Sequence, residues 1–376
     1  MSTRTARSYV LDKPKGTFVL GDYEIPDPAP GSVLMKIELC GVCGTDVHTW
    51  QSEVETFEYP VALGHEIVGI VEALGKGVTA DYIGKPLKAG DRIGVIPAIH
   101  CHKCYFCTIV KTPEKCIDWK TYGTWPNADK KPYFTGGYGD YLYIHDPNSV
   151  FVKMDAAPER GVFLEPMAVV VHSMLHAQIE PGDTVVVNGA GPIGLLTVGH
   201  AKIAGASKVI AIGRRNRLRL SLAEKMGADV TICHTDVPEQ KDRADFVFEN
   251  SLNGYGADVV INTVGTAVGF AQSLDYVRDS GTVVEVGNFV DSGTMEFNPC
   301  KHLLEKGIKL IGSFDNEAEH YVRGLPVIAD ERLPLPDLIT HTIPMGRLQE
   351  ALTAIKDGTN LDGREIIKIV LDPSLS

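Results

Sequence analysis

Two short stretches carry residues able to hold a metal ion at a reactive carbon. They are Cys43-Gly44-Thr45-Asp46-Val47-His48 and Gly64-His65-Glu66. Cysteine, histidine and glutamate are all zinc ligands, and three protein ligands with an open fourth position make the ion catalytic. Thr45 places a hydroxyl two residues beyond Cys43, where it can pass a proton between a substrate oxygen and a base. Asp46 is suited to orient His65 from behind. Each residue also has a plainer reading, since a lone cysteine is usually core and a lone histidine usually surface. Cys40 is read as core.

A second set is Cys101, Cys104, Cys107 and Cys116, four thiols within 16 residues. Thiolates at this spacing wrap a tetrahedral zinc and leave no position for substrate, so the site would be structural. An iron–sulfur cluster or free thiols are the alternatives that spacing leaves open. The third motif is Gly189-Ala190-Gly191-Pro192-Ile193-Gly194, a GxGxxG between a strand-like run and a helix-like run. Its glycines would allow a tight turn, close approach of a pyrophosphate and close helix–strand packing. A glycine turn without ligand is the alternative.

The next strand end indicates which dinucleotide binds. An NAD site places a carboxylate about 20 residues on, but here Gly213, Arg214 and Arg215 stand there. No Asp or Glu occurs from Ala206 to Ala223. Arginines suit the 2′-phosphate of NADP. The expectation is NADP(H) in preference to NAD(H), with Gly213, Arg214 and Arg215 at the phosphate. Arg217 and Arg219 are read as coating an exposed helix face.

Elements must place these groups. Before residue 160 short β-rich runs lie between glycine-marked turns, at Val33–Leu39, Ile67–Ala73, Arg92–Pro97 and Tyr141–Ile144. Strand and helix then alternate. Strands are expected at Thr184–Asn188, Lys208–Ile212, Asp258–Asn262, Thr282–Val286 and Ile308–Ile311. Helices are expected at Pro192–Ala204 and Arg217–Met226. The pattern is that of a parallel βαβ sheet. After about residue 305 the alternation weakens, and the tail could join the first domain or form a cap.

Composition sets the outer bounds. The 376 residues carry a net charge of −12, which argues against nucleic acid as a partner. No run approaches the ~20 apolar residues of a membrane helix. The opening MSTRTARSYV has no apolar core of a secretory signal, so a cytoplasmic protein that does not bind membranes is expected.

The run Gly64-His65-Glu66-x2-Gly69-x5-Gly75-x2-Val78 resembles the signature of zinc-containing alcohol dehydrogenases, in the medium-chain dehydrogenase/reductase superfamily. The Cys43 motif, the cysteine lobe and the GxGxxG follow in that family's order across essentially the whole chain. The resemblance implies an α/β protein: a GroES-like β-rich catalytic domain (1–165 and 306–376, zinc lobe 97–118) with an inserted doubly wound parallel-sheet Rossmann domain (166–305). It implies two zinc ions per chain, one structural on the four cysteines and one catalytic on Cys43 and His65 in the cleft between domains. The family's third ligand position falls at Glu165, where classical members have cysteine. This looks like the sorbitol and threonine dehydrogenase branch, in which Glu66 or Glu165 completes the set. Thr45 and His48 resemble the family's proton relay. A homodimer or homotetramer is implied.

The reaction expected is hydride transfer between NADP(H) and an alcohol or carbonyl: a polyol, a secondary alcohol or a small functionalised aldehyde. An NAD-dependent polyol or threonine-type dehydrogenase is the first alternative. An alkene reductase of the same fold and a non-catalytic crystallin-like nucleotide binder are the others, and the intact ligand set argues against both. Three departures stand out. Eight residues precede Cys116 where seven are common, His102 replaces a usual glycine, and Asp118–Gly137 is unusually aromatic. That stretch reads either as lining the cleft or a subunit contact, or as ordinary packing.

Overall fold

The computed structural model describes residues 4–54, 58–214, 217–358 and 360–375, without the side chain of Asn253. Its main elements run β1 (Thr5–Leu11), β2 (Phe18–Glu24), β3 (Val33–Val42), α1 (Gly44–Gln51), β4 (Val61–Leu63), β5 (Glu66–Leu74), β6 (Arg92–Ile96), β7 (Tyr141–Ile144), β8 (Val150–Lys153) and α2 (Leu164–Ala177). There follow β9 (Thr184–Asn188), α3 (Pro192–Ile203), β10 (Lys208–Gly213), α4 (Arg217–Met226), β11 (Val230–Cys233), α5 (Gln240–Asn250), β12 (Ala257–Asn262), α6 (Ala267–Tyr276), β13 (Val277–Glu285) and β14 (Lys309–Gly312). The chain closes with α7 (Ala318–Ala329), β15 (Ile339–Ile343), α8 (Leu348–Lys356) and β16 (Lys368–Leu371).

Two compact units result. The first holds Met1–Glu165, Asn316–Ala329 and Ile339–Ser376; the second holds Pro166–Asp315 and Asp330–Leu338. In the first, a seven-stranded sheet runs β8-β6-β5-β3-β16-β15, with β7 also paired to β3. Strand β16 pairs antiparallel with β3 through Ile369↔Val42 and Leu371↔Cys40. The C-terminal segment therefore builds the first unit's central sheet. Helix α8 buries Leu348, Ala351 and Leu352, a spacing that puts them on one face.

The second unit is a six-stranded parallel sheet in the order β11-β10-β9-β12-β13-β14. Every residue of β9 is buried, as a strand with both faces covered requires. The order reverses beside β9, so its C-terminal edge is the ligand-binding crevice of an open α/β sheet.

The return from this unit comes at Asn316, not at 306 as the weakening alternation implied. The reason is β14, which extends the parallel sheet as an edge strand through Thr282↔Lys309 to Glu285↔Gly312. Asp330–Leu338 also rejoins this unit, where Leu333 packs over Gly199 and Asp337 pairs with Lys225.

Candidate active site

Cys43 leaves β3 and caps α1. Asp46, in the first turn of that helix, accepts a hydrogen bond from the Cys43 N–H at 3.0 Å, from the Tyr138 hydroxyl at 2.7 Å and from the Gly64 N–H at 3.3 Å. Its other contact is His65 Nδ1 at 3.4 Å. One buried carboxylate thus ties together the two segments that carry the candidate ligands. Burial alone would raise Asp46, but His65, Tyr138 and the Cys43 N–H hold it below the usual carboxylate range. Burial would lower His65, yet Asp46 and Cys43 raise it well above an ordinary imidazole. With Nδ1 turned to Asp46, Nε2 is left to face a ligand. Ligand atoms of Cys43, His65 and Glu66 all lie within 4.8 Å of one another. A thiolate, an imidazole and a carboxylate so placed suit zinc.

Glu66 opens β5 with its carboxylate over β3. A Cβ on Gly41 would lie 1.9 Å from Glu66 Oε2, so glycine is required there for the carboxylate to occupy this place. Lys368, on β16 and almost fully buried, forms an ion pair with Glu66 and donates to the Val42 carbonyl at 3.3 Å. Glu165 stands outside the 4.8 Å group. It accepts from Asn316 Nδ2 at 3.1 Å, and burial, reinforced by Glu66, raises it to about 7 against the pull of His65, Asn316 and Lys368. Neither Lys368 nor Asn316 was singled out from the sequence. They join the site only through the closing of the fold, and no local pattern marks them.

Thr45 lies in the first turn of α1, its Oγ1 3.6 Å from Cys43 Sγ. His48 follows one turn on and binds Glu53 through Nδ1···Oε2 at 2.6 Å. The backbone N–H of Glu53 also reaches the His48 carbonyl at 2.9 Å. Glu53 is a further residue missed in the sequence. An acid five positions beyond a relay histidine was the available signal. Trp50 is core, donating to the Gly16 carbonyl at 2.8 Å. The aromatic stretch is largely packing: Tyr122 is fully buried and stacks on Trp125 at 5.5 Å, and Phe134 is buried. Trp119 is exposed.

The four thiols of Cys101, Cys104, Cys107 and Cys116 converge within the same 4.8 Å limit. Backbone N–H groups of Cys107 and Ile117 lower Cys104 to about 6, while burial raises Cys107 to about 12. A π-helical turn at Phe106–Val110 carries Cys107. His102 adopts φ +53°, a backbone region that favours glycine.

In the second unit Gly189 follows β9 at φ +114°. A Cβ on Gly194 would lie 1.8 Å from the Gly189 carbonyl oxygen, so the loop closes only on glycine there. Gly191 is the N-cap of α3 and has no side-chain capping bond. Pro192 takes the first helical turn, and Ile193 follows it, partly buried. Open N–H groups at a glycine-lined helix start suit a pyrophosphate. Gly213 ends β10 against Ala190 and Leu220, so it serves packing, and Arg214 beside it is exposed. Arg215 lies outside the described residues. Arg217 is exposed as expected, but Arg219 is not a surface coating. Its guanidinium donates to the Ala190 carbonyl at 3.3 Å, in the glycine loop itself.

A β-rich unit with two zinc-type donor sets and a parallel-sheet unit with a glycine loop define a metal- and dinucleotide-dependent dehydrogenase class. Comparison with known proteins is in accord. The profile of the alcohol dehydrogenase GroES-like domain matches residues 29–156, and that of the zinc-binding dehydrogenases matches 192–329. The 5-exo-hydroxycamphor dehydrogenase of Pseudomonas putida is 33% identical over 364 residues, 94% of this chain and 95% of that protein. The sorbitol dehydrogenase of Halalkalibacterium halodurans is 29% identical over 360 residues, 95% of this chain and 97% of that protein. An alcohol dehydrogenase from Thermotoga maritima superposes with a TM-score of 0.91 at 29% identity, covering 99% of this chain and 100% of that one. A zinc-binding dehydrogenase of Sinorhizobium meliloti 1021, bound to NADP, gives 0.84 at 28%, covering 98% and 100%. The chain belongs to the zinc-type alcohol dehydrogenases of the medium-chain dehydrogenase/reductase superfamily, in the sorbitol dehydrogenase-like branch.

Proposed function

We propose that this protein is an NADP(H)-preferring, zinc-dependent dehydrogenase that interconverts a secondary alcohol or polyol with its carbonyl form. The observation that carries the reading is the compact Cys43, His65 and Glu66 donor set, already oriented through Asp46. Cys43 and His65 would hold the catalytic zinc, with Glu66 in reach as third ligand and Glu165 close by as the alternative. The four lobe cysteines would hold a second, structural zinc. Bound zinc would supply a Lewis acid for the substrate oxygen, and bound nicotinamide the hydride acceptor or donor.

The chain's own residues handle the proton. In oxidation the hydroxyl proton passes to Thr45 Oγ1 and on to His48, whose Nδ1 is held by Glu53. In reduction the same groups return it. Gly189, Gly191 and Gly194, with the α3 N–H groups from Ile193 onward, seat the pyrophosphate, and Pro192 fixes the first helical turn without donating. Arg214 and Arg215 hold the 2′-phosphate, and the missing carboxylate removes repulsion there. Arg219 adds a third cation at the loop.

The substrate reading follows the hydroxycamphor and sorbitol dehydrogenases, whose names denote secondary alcohol and polyol chemistry. A homodimer or homotetramer acting in the cytoplasm completes the proposal. Among the described residues no helix is long and apolar enough to cross a membrane.

The test is steady-state kinetics on a panel of alcohols and ketones with both cofactors. Efficiency with NADPH should exceed that with NADH at least 10-fold. Arg214→Asp should shift the ratio toward NADH by about 100-fold, the scale of losing one charge-assisted phosphate contact and gaining a repulsion. Equal efficiency with both cofactors in the unaltered enzyme would overturn the NADP assignment.

A further inference from the structure

Away from both cysteine sites, the second unit carries a histidine pair that the proposed reaction does not use. His172 and His176 lie one turn apart on α2, and their Nε2 atoms are 3.0 Å apart. Side chains four residues apart share a helix face, which makes such a pair a natural chelate. The nearly buried His172 is fixed from its other side, with Nδ1 2.8 Å from the backbone carbonyl oxygen of Asp315. A carbonyl oxygen only accepts, so Nδ1 carries the proton and the Nε2 lone pair of His172 points at His176. A ring N–H held by a carbonyl is the arrangement that orients metal-binding histidines. His176 is partly exposed, which leaves a path for an ion.

We propose that His172 and His176 form a chelating site for a first-row transition dication that is distinct from both zinc sites. The 3.0 Å separation is that of a hydrogen bond and lets one ion take the place of the shared proton. Two neutral imidazoles with waters suit Cu²⁺ and Ni²⁺, which the Irving–Williams order places among the tightest binders of nitrogen ligands. In the ion-free pair His176 donates its Nε2 proton to His172. Binding needs only that His176 carry its proton on Nδ1 instead, so both lone pairs converge and the ring stays neutral. Water completes the coordination.

The experiment is equilibrium dialysis of the tag-free, zinc-replete enzyme against micromolar NiCl2, with nickel and zinc counted together. One nickel per chain is expected, with zinc content unchanged. In His176→Gln nickel affinity should fall at least 10-fold while zinc content stays the same. No nickel at 100 µM (about the weakest affinity a useful two-histidine chelate would have), nickel retained by H176Q, or nickel gained only as zinc is lost would each overturn the site. Should H176Q fail to fold, electron paramagnetic resonance of Cu²⁺ on the unaltered enzyme decides. Coupling to two imidazole nitrogens supports the site, and its absence overturns it. The zinc count and alcohol turnover are separate readouts, so failure here leaves the dehydrogenase assignment untouched.

Discussion

The two units solve burial differently. The first gathers titratable groups into its interior: Asp46, Glu66, Lys368 and the Cys43–His65 pair sit within one sheet-and-helix corner. The second keeps the core of its parallel sheet almost free of charge. There Val185, Val186, Val187, Val260 and Ile261 are fully buried, and the polar insertions are neutral amides such as Asn188 and Asn262, bonded to each other at 3.3 Å. Charge taken out of water must be paired or it is strongly destabilising. The first unit therefore has the counter-charges of a metal holder already in place, as the proposed function requires. On the proposed function the second would hold its ligand with backbone N–H groups and with arginines at the glycine loop and beside it.

This contrast can be broken by experiment. The largest effect is expected for Cys43→Ser. Loss of the thiolate should reduce zinc from two per chain to one and lower kcat by more than about 1,000-fold, the order of a metal's contribution to polarising an oxygen. Zinc content that stays at two would show that Cys43 is no ligand. Next is Lys368→Met in the metal-stripped protein. Glu66 would be left as an uncompensated buried charge, a loss of about 3–5 kcal/mol in urea unfolding. The double variant with Glu66→Gln should regain most of it. If the double variant is no better than the single, the ion pair is not what Lys368 provides.

The second unit offers a smaller and oppositely built test. Burial lowers His200 on α3 from its ordinary 6.5 to about 4. Between those values the unfolded chain binds a proton that the folded chain does not, so stability falls as pH drops from 6.5 toward 4. His200→Gln should remove about 2 kcal/mol of that acid loss, read from unfolding curves at pH 5 and 7. The same slope in both proteins would place the acid sensitivity elsewhere. The smallest effect is expected for Glu53→Gln. It keeps the shape but weakens the hold on His48 Nδ1, and kcat should fall about 3- to 10-fold, below what loss of the acid–base group itself costs. Glu53→Asp should restore part of the rate, which a merely structural role for Glu53 would not yield.

What could be read in advance follows from sequence distance. The cysteine lobe, the Gly64-His65-Glu66 run and the GxGxxG are local, so their residue types and spacings stand out in the sequence. The strand at Lys309–Gly312 was legible as a strand but not as the sheet's edge. Its partner register comes from pairing with β13, so the expected boundary at 306 fell ten residues short. Lys368 meets Val42 across 326 residues and Asn316 meets Glu165 across 151. Nothing near either residue marks it as part of a charge cluster. Arg219 looked like a surface arginine because helical spacing says which face a residue occupies, but not how far a long side chain reaches back.

The hub at Asp46 has one more consequence. Because it binds a main-chain amide next to each ligand-bearing segment, the geometry of the pocket is fixed by the polypeptide and does not wait for an ion. Loading can then be a late, reversible step on a finished scaffold. Chelated enzyme should keep its shape in solution and regain turnover on adding cobalt or zinc without passing through denaturation.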